Sequence, residues 1–255
     1  MCNKKQVEKY VGMVVTTNNF GDVVIIDYVN SENIVVKFVD TGYVTSARSN
    51  QIYSGGIKDF YKPTVYGVGI VGEKPDYNLR MSKTYKMWAS MLRRCHNDAF
   101  KDKFKTYLDC TTSDNFKHFH YFREWCINQV GYNSLDDKGK VFQLDKDILS
   151  KVKGVKKYSE DTCCFVPQEI NTLLCGADKM KDGVPAGVCY HKSRSKYQAY
   201  YHNKDKKIYL GIYDTKEEAF CIYKKAKEDH IKEVANKWKD QIDPLVYKTL
   251  MNWCI

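Results

Sequence analysis

The clearest indication of structure in the sequence is Gly187-Val188-Cys189-Tyr190, followed by Tyr197-Gln198-Ala199-Tyr200-Tyr201 and Lys207-Ile208-Tyr209-Leu210-Gly211. These short runs are rich in β-branched and aromatic residues and are separated by polar turn residues, which is typical of three strands. Thr215-Lys216-Glu217-Glu218 follows as a capping box, in which the Thr hydroxyl and the Glu carboxylate satisfy free amides of a first helical turn. The sequence therefore predicts a three-stranded sheet followed by a helix.

The helix is expected to pack on one face of this sheet, because its apolar residues share one side: Ala219, Ile222, Tyr223, Ala226, Ile231, Val234, Ala235 and Trp238. The other face is expected to be open to water, with a set of cationic and aromatic side chains: Lys192, Arg194, Lys196, Tyr200 and His202. Such a face fits the major groove of duplex DNA. The alternative is an ordinary solvated face of charges.

Composition also favours a polyanionic partner. Forty-one Lys and Arg stand against thirty-one Asp and Glu, a formal net charge of +10, and cations that neutralise phosphates release counterions. The twenty tyrosines suit stacking on bases and sugars. A basic but otherwise ordinary soluble protein is the alternative.

The ten cysteines do not form a disulfide scaffold, because they are scattered through a long chain. The N-terminus has no apolar signal-peptide core and no apolar run could span a bilayer. We therefore expect an intracellular protein with reduced thiols and no membrane partner. No CxxC pair supports a zinc ribbon or finger, and buried free thiols are favoured over a structural zinc site built from Cys95, Cys110 and Cys163 with Cys164 or His96.

The length of 255 residues predicts several domains in an α+β protein. We place them at 1–75, 80–178 and 184–255, the last with a C-terminal helical extension. Short β-branched runs between about Val11 and Gly72, separated by turn residues, predict a small antiparallel β-barrel. Binding nucleic acid and bracing a partner domain are equally good roles for it.

The middle segment is mixed. Ser82 is expected to cap a helix whose apolar stripe is Tyr85, Trp88, Met91, Leu92 and Cys95. A second helix is expected after Asp114, with Phe116, Phe119, Phe122, Cys126 and Ile127 directed inward. The run 141–149 is strand-like, and Pro167 is expected to open a short helix that carries Asn171.

The C-terminal segment resembles the APETALA2-type DNA-binding domain over about fifty residues. The resemblance is carried by Gly187-Val188, Lys196-Tyr197-Gln198-Ala199, Leu210-Gly211-Ile212-Tyr213, and Thr215 to Ala219 followed by Tyr223. Tyr197 stands where the family usually has Trp. The resemblance implies that the sheet enters the major groove, and outside plants such domains are commonly attached to phage homing nucleases.

The middle segment resembles a divergent HNH-type (ββα-metal) nuclease module over about ninety residues. The matching pieces are Tyr85-x-x-Trp88-x-x-Met91-x-x-Arg94-Cys95, Phe119-x-x-Phe122-x-x-Trp125, Leu144-Asp145-Lys146-Asp147, and Tyr158-Ser159-x-x-Thr162-Cys163-x-Phe165-Val166-Pro167 ending in Asn171.

That resemblance implies a metal site in which Asp145 and Asn171 supply the oxygen ligands of one Mg²⁺. Lys146 takes the place of the usual general-base histidine. Lysine is a poor base at neutral pH unless its pKa is strongly lowered, so Asp147, His118 and His120 are alternatives. Arg93 and Arg94 are further candidates for nucleic-acid binding. The alternative for Asp145 and Asp147 is surface carboxylates paired with neighbouring lysines.

Two functions follow from these resemblances. The first is a site-specific, Mg²⁺-dependent homing endonuclease acting on double-stranded DNA in the cytoplasm of a phage-infected bacterium. The second is a non-cleaving DNA- or RNA-binding protein that retains the nuclease scaffold, in phage regulation or within a larger assembly. The sequence does not define an oligomeric state.

Overall fold

The computed structural model describes residues 4–73, 78–174, 180–181, 183–203 and 206–255. It divides into two compact units, Met1–Glu124 and Trp125–Ile255. Both contain antiparallel strand pairs and helices, so the predicted α+β class is confirmed. The three-domain division stays a prediction. Among the described residues, no helix is both long enough and apolar enough to cross a bilayer.

The first unit begins with α1 (Lys4–Tyr10) and a four-stranded antiparallel sheet. Its strands pair in chain order: β1 (Val14–Thr17), β2 (Gly21–Asn30), β3 (Asn33–Phe38) and β4 (Val44–Ala47). Alternate residues of these strands form a core with residues of α2 (Ser49–Ser54) and the following loop. Within the described part of the chain no pairing closes the sheet between β1 and β4, so the predicted barrel is an open sheet here.

The helices of the first unit follow the predicted pattern closely. The chain continues through α3 (Lys83–His96), α4 (Asp98–Lys103), β5 (Thr111–Thr112) and α5 (Phe119–Ile127). The Ser82 side chain accepts the Tyr85 backbone amide at 3.2 Å, which confirms the predicted cap. The predicted apolar residues are buried, with two exceptions: Tyr85 is half-buried and Ile127 is 52 % exposed, so its inward placement is wrong.

The second unit begins with a small strand pair. β6 (Gln143–Asp145) pairs antiparallel with β8 (Cys164–Val166), placing Asp145 opposite Cys164. Between them lie α6 (Asp147–Lys153) and β7 (Lys157–Tyr158). The expected strand over 141–149 is therefore wrong in its second half, where Ile148 and Leu149 are helical and buried. After Pro167 the chain forms α7 (Gln168–Leu173), the predicted short helix.

The C-terminal sheet has the predicted three strands. After the short pair β9 (Met180–Lys181) and β10 (Val184–Pro185), the strands β11 (Val188–His191), β12 (Lys196–Asn203) and β13 (Lys206–Tyr213) form an antiparallel sheet in chain order. One face packs on α8 (Lys216–Trp238), and α9 (Pro244–Met251) packs on α8 in turn. The Thr215–Glu218 capping box is present.

The buried face of α8 differs in part from the predicted one. Ile222 is 39 % exposed, whereas Lys227 and His230 are buried. Both polar residues follow Tyr223 at helical spacing, by four and seven positions, which places them on the inner side. The predicted apolar face did not include these two residues.

Candidate nucleic-acid interface and nuclease-like site

One face of the C-terminal sheet packs on α8 and the other does not. Tyr197, Ala199 and Tyr201 belong to the core between sheet and helix. Because successive strand residues point to opposite faces, Lys196, Gln198, Tyr200 and His202 share the other face. Lys196 and His202 are exposed and Tyr200 is half-buried. Three of the five predicted sheet residues are thus brought together.

Lys192 and Arg194 are not on the sheet. They lie in a short 3-10 helix, Lys192–Arg194, that connects β11 to β12, and both are exposed. Ser195 closes this turn with a φ of 51°, in the left-handed region. Their predicted place in the row of sheet residues is therefore wrong, although they lie next to the strand that begins at Lys196.

The open face also carries residues that the sequence did not single out. Tyr209 lies opposite Tyr200, and Lys207 lies opposite His202. The Lys207 ammonium stands 3.7 Å from the centre of the Tyr200 ring, a cation–π contact. Lys196 pairs with Asp214 at 2.8 Å. These residues could be assigned to the open face only from the pairing of β13 with β12, because the alternation of residues within β13 alone does not show which face is open.

The sheet packs closely on α8 at Gly187. This residue has a φ of +75°, and a Cβ built on it would lie 2.0 Å from the Tyr223 ring. The Gly187 carbonyl accepts the Tyr200 backbone amide at 2.8 Å. A side chain at position 187 would therefore displace either the Tyr223 ring or the start of the sheet.

At the nuclease-like site, Asp145 holds the start of a helix. Its Oδ1 accepts the backbone amides of Asp147 and Ile148, both at 2.9 Å, so the carboxylate caps the first turn of α6. Only 8 % of the residue is exposed, and burial raises the pKa of its carboxyl group against the lowering effect of those two amide bonds.

The neighbouring Lys146 is also tied into the fold. The residue is buried, its ammonium is ion-paired with the Asp147 carboxylate, and it stands 5.6 Å from the centre of the Tyr158 ring. Asp147 itself is the first residue of α6, with a largely exposed side chain. An ion-paired ammonium is a poor proton acceptor, so this geometry does not favour Lys146 as a general base.

Asn171 lies on α7, and its amide nitrogen donates to Gln143 Oε1 at 2.7 Å. Gln143 is two residues before Asp145 on β6. The predicted metal ligands Asp145 and Asn171 therefore lie on elements that meet, but the contacts of each serve the fold. The Oδ1 atom of Asp145 is already used by the cap of α6, and the buried Lys146 follows it in the sequence.

Arg93 and Arg94 lie near the end of α3 in the first unit. The Arg93 guanidinium is 4.5 Å from the centre of the Phe100 ring, and that of Arg94 is 5.7 Å from the Tyr107 ring. Arg93 is exposed and Arg94 half-buried.

The thiols considered for zinc are buried. Cys95, Cys110, Cys163 and Cys164 are all almost inaccessible to solvent. Burial raises the pKa of the Cys163 and Cys164 thiols, which favours the protonated form over a metal-binding thiolate. The described residues contain no group of three or more His, Cys, Asp or Glu side chains placed to hold a metal ion.

Two charged features of α8 were also missed. Lys237 pairs with Asp137 at 2.5 Å and with Glu169 at 2.6 Å, and the Trp238 indole donates to Glu169 at 2.9 Å. Burial by itself lowers the pKa of Lys237, but its bonds to the two carboxylates outweigh that and leave the pKa raised. Lys227 and His230 line a cleft of about 590 Å³ beside these residues.

Comparison of the chain with protein-family models, curated proteins and solved structures finds no match. The resemblances to the APETALA2-type domain and to the HNH-type module therefore stay predictions.

Proposed function

We propose that this protein binds duplex DNA through the open face of the sheet β11–β13. The observation that carries the proposal is a row of Lys196, Tyr200 and His202 on a face that α8 leaves uncovered. Lys207 and Tyr209 extend the row across to β13. Cations for phosphates and aromatic rings for base edges and sugars are the side chains that such an interface needs.

The turn before β12 adds to this interface. Lys192 and Arg194 are exposed at the end of the sheet where β12 begins, next to Lys196. Contacts of this kind hold a protein in register on the phosphate backbone, while the sheet face contacts bases. RNA is the alternative polyanion, and the same assay with an RNA duplex distinguishes the two.

We further propose that β6, β8 and α7 are a nuclease-like scaffold that does not cleave. This proposal is supported by the contacts of the two central polar residues: the Asp145 carboxylate caps α6, and the Lys146 ammonium pairs with Asp147. Under this proposal the protein acts as a DNA-binding regulator or a component of a larger assembly, in the cytoplasm of a phage-infected bacterium.

The binding proposal is tested by fluorescence anisotropy with a DNA site selected from a random duplex library. His202→Gln and Lys207→Gln should weaken binding to the selected site more than to random DNA, because sheet residues contact bases. Lys192→Gln and Arg194→Gln should weaken both equally. Affinity that does not depend on salt, or that is unchanged by all four substitutions, contradicts the proposal.

Metal-dependent cleavage is the second candidate. The observation in its favour is that the paired strands β6 and β8, which are separated in the chain by α6 and β7, are followed by a helix, with Asp145 at the end of β6 and Asn171 on α7. This is the arrangement expected of a ββα-metal module.

A supercoiled-plasmid assay on DNA that contains the selected site separates the two candidates. Cleavage that requires Mg²⁺ and is lost in both Asp145→Ala and Asn171→Ala would establish the second candidate. Tight binding without any Mg²⁺-dependent nicking supports the non-cleaving scaffold.

A further inference from the structure

The net positive charge of the chain is carried by two short segments. Residues 83–105 contain seven Lys and Arg against two Asp, and residues 187–213 contain six against one. Each segment has a net charge of +5, so the remainder of the chain has as many carboxylates as cations. The second segment is the sheet discussed above, and the first is α3, α4 and the chain that follows.

All the charged residues on the outer side of helix α3 are cationic. It contains no acidic residue, and its buried side is Thr84, Trp88, Met91, Leu92 and Cys95. Lys83, Lys86, Ser90 and Arg93 are all exposed. Their spacing of three, four and three residues places them in one line along the helix, a line about 15 Å long. We call these four residues the α3 stripe.

In the described part of the chain, two cations of the α3 stripe, Lys86 and Arg93, form no ion pair, and the Arg93 guanidinium rests on the Phe100 ring. Helix α8 is different, because its outer side carries Glu217, Asp229 and Glu233 among its lysines. A surface that serves only solubility usually carries both positive and negative side chains, as the outer side of α8 does.

The electrostatic effect of the surrounding cations is visible at His96, at the end of α3. Burial lowers the pKa of its imidazole, and the charges of Lys117 and Lys101 lower it further. Repulsion of a proton and attraction of a phosphate are consequences of the same positive potential.

We infer that the α3 stripe is a second DNA-binding surface, which contacts the phosphate backbone of duplex DNA without regard to sequence. A line of cations 15 Å long passes several phosphates of a strand whose charges repeat about every 3.4 Å along the axis. Lysine and arginine side chains that contact phosphates and not base edges increase affinity but add little sequence specificity. The inference rests on the DNA binding proposed above and adds a contact in the other unit.

The test measures DNA affinity of the full chain as a function of salt. In Lys86→Gln/Arg93→Gln, the slope of log affinity against log salt concentration should decrease in magnitude by about two, because two phosphate contacts are removed. Affinities for the selected site and for random duplex should fall by the same factor, about tenfold or more. Both residues are exposed, so the melting temperature should change little, by no more than the loss of the Arg93–Phe100 contact can account for.

The matched control is Lys225→Gln/Lys239→Gln, which removes two exposed cations of the α8 region and the same net charge. It should leave the slope unchanged. If the stripe variant behaves like this control while the sheet variants lose affinity, the inference of a second DNA-binding surface is wrong and the proposed function stands. If the wild type does not bind duplex DNA, or binds only RNA, the inference and the proposed function are both wrong.

Discussion

The open face of the C-terminal sheet and the nuclease-like site at β6 both carry the polar side chains that sequence motifs single out, but they use them differently. On the sheet, the predicted residue His202 is exposed to solvent, and so is Tyr209, which the strand register adds to the same face. At β6, Asp145 caps α6 and Lys146 pairs with Asp147. A polar side chain that already caps a helix or forms an ion pair has fewer hydrogen-bonding groups available for a ligand. The resemblance to a known family therefore supports a binding function better on the sheet than at β6.

The largest effect of a substitution is expected on stability, where the sheet packs on α8. Gly187→Ala should lower the free energy of unfolding by about 3 kcal/mol, since its Cβ would collide with the Tyr223 ring at a positive φ. Gly183→Ala is the control, because Gly183 has a similar φ of +73° with nothing within 4 Å, and should cost only about 1 kcal/mol. Urea titration measures both. Equal losses would mean that Tyr223 moves aside.

The next effect tests whether exposure on the open face means binding. Tyr209→Ala should weaken binding to the selected DNA by about 1–2 kcal/mol, roughly tenfold. Tyr190→Ala is the matched control: Tyr190 is similarly exposed on the same sheet, but it lies opposite Tyr197, on the face directed towards α8. Anisotropy titration gives both values. The assignment of the faces would be wrong if Tyr190→Ala were the more damaging change.

The third effect tests the structural role of Asp145. Asp145→Ala should lower the free energy of unfolding by about 1 kcal/mol, because α6 loses its cap. Asp145→Asn keeps a side-chain oxygen for the two amides and should lose less than half of that. Thermal melting of both variants at pH 7 is the measurement. If the two variants are equally unstable, the cap is not what Asp145 contributes.

The sequence predicted those parts of the fold in which local chemistry decides the structure. The Ser82 cap and the Thr215–Glu218 capping box are present because a hydroxyl next to free amides has few better partners. The spacing of Trp88 and Met91 placed the buried side of α3 for the same local reason.

Other features depended on information that is not local. The run 141–149 was interpreted as a strand because Ile148 and Leu149 suit either structure. The second half is helical, and the Asp145 carboxylate accepts amides of its first turn. Lys192 and Arg194 were assigned to the sheet because composition does not show where β11 ends. Lys227 was not among the residues predicted to be buried, since burial of a lysine depends on what packs against it.

The smallest effect comes from a polar group outside both regions. The pKa of His96 is lowered by burial and by Lys117 and Lys101, so the unfolded chain binds a proton more readily than the native one. This contribution is intact above the ordinary pKa near 6.5 and is lost as the pH falls below it. The melting temperature of the wild type should therefore fall more between pH 7.5 and pH 5.5 than that of His96→Gln. Parallel curves would contradict this.

The contacts of Lys237 and Trp238 have a consequence for exchanging parts of this protein. The helix that supports the sheet also supplies the ammonium and indole that bind Glu169 on α7, and the same ammonium binds Asp137. A graft of residues 184–239 onto another protein would expose the Trp238 ring and leave Glu169 without these two donors in the part that remains. New specificity is therefore better obtained by changing the outward residues of β12 and β13 in place than by transplanting the sheet with its helix.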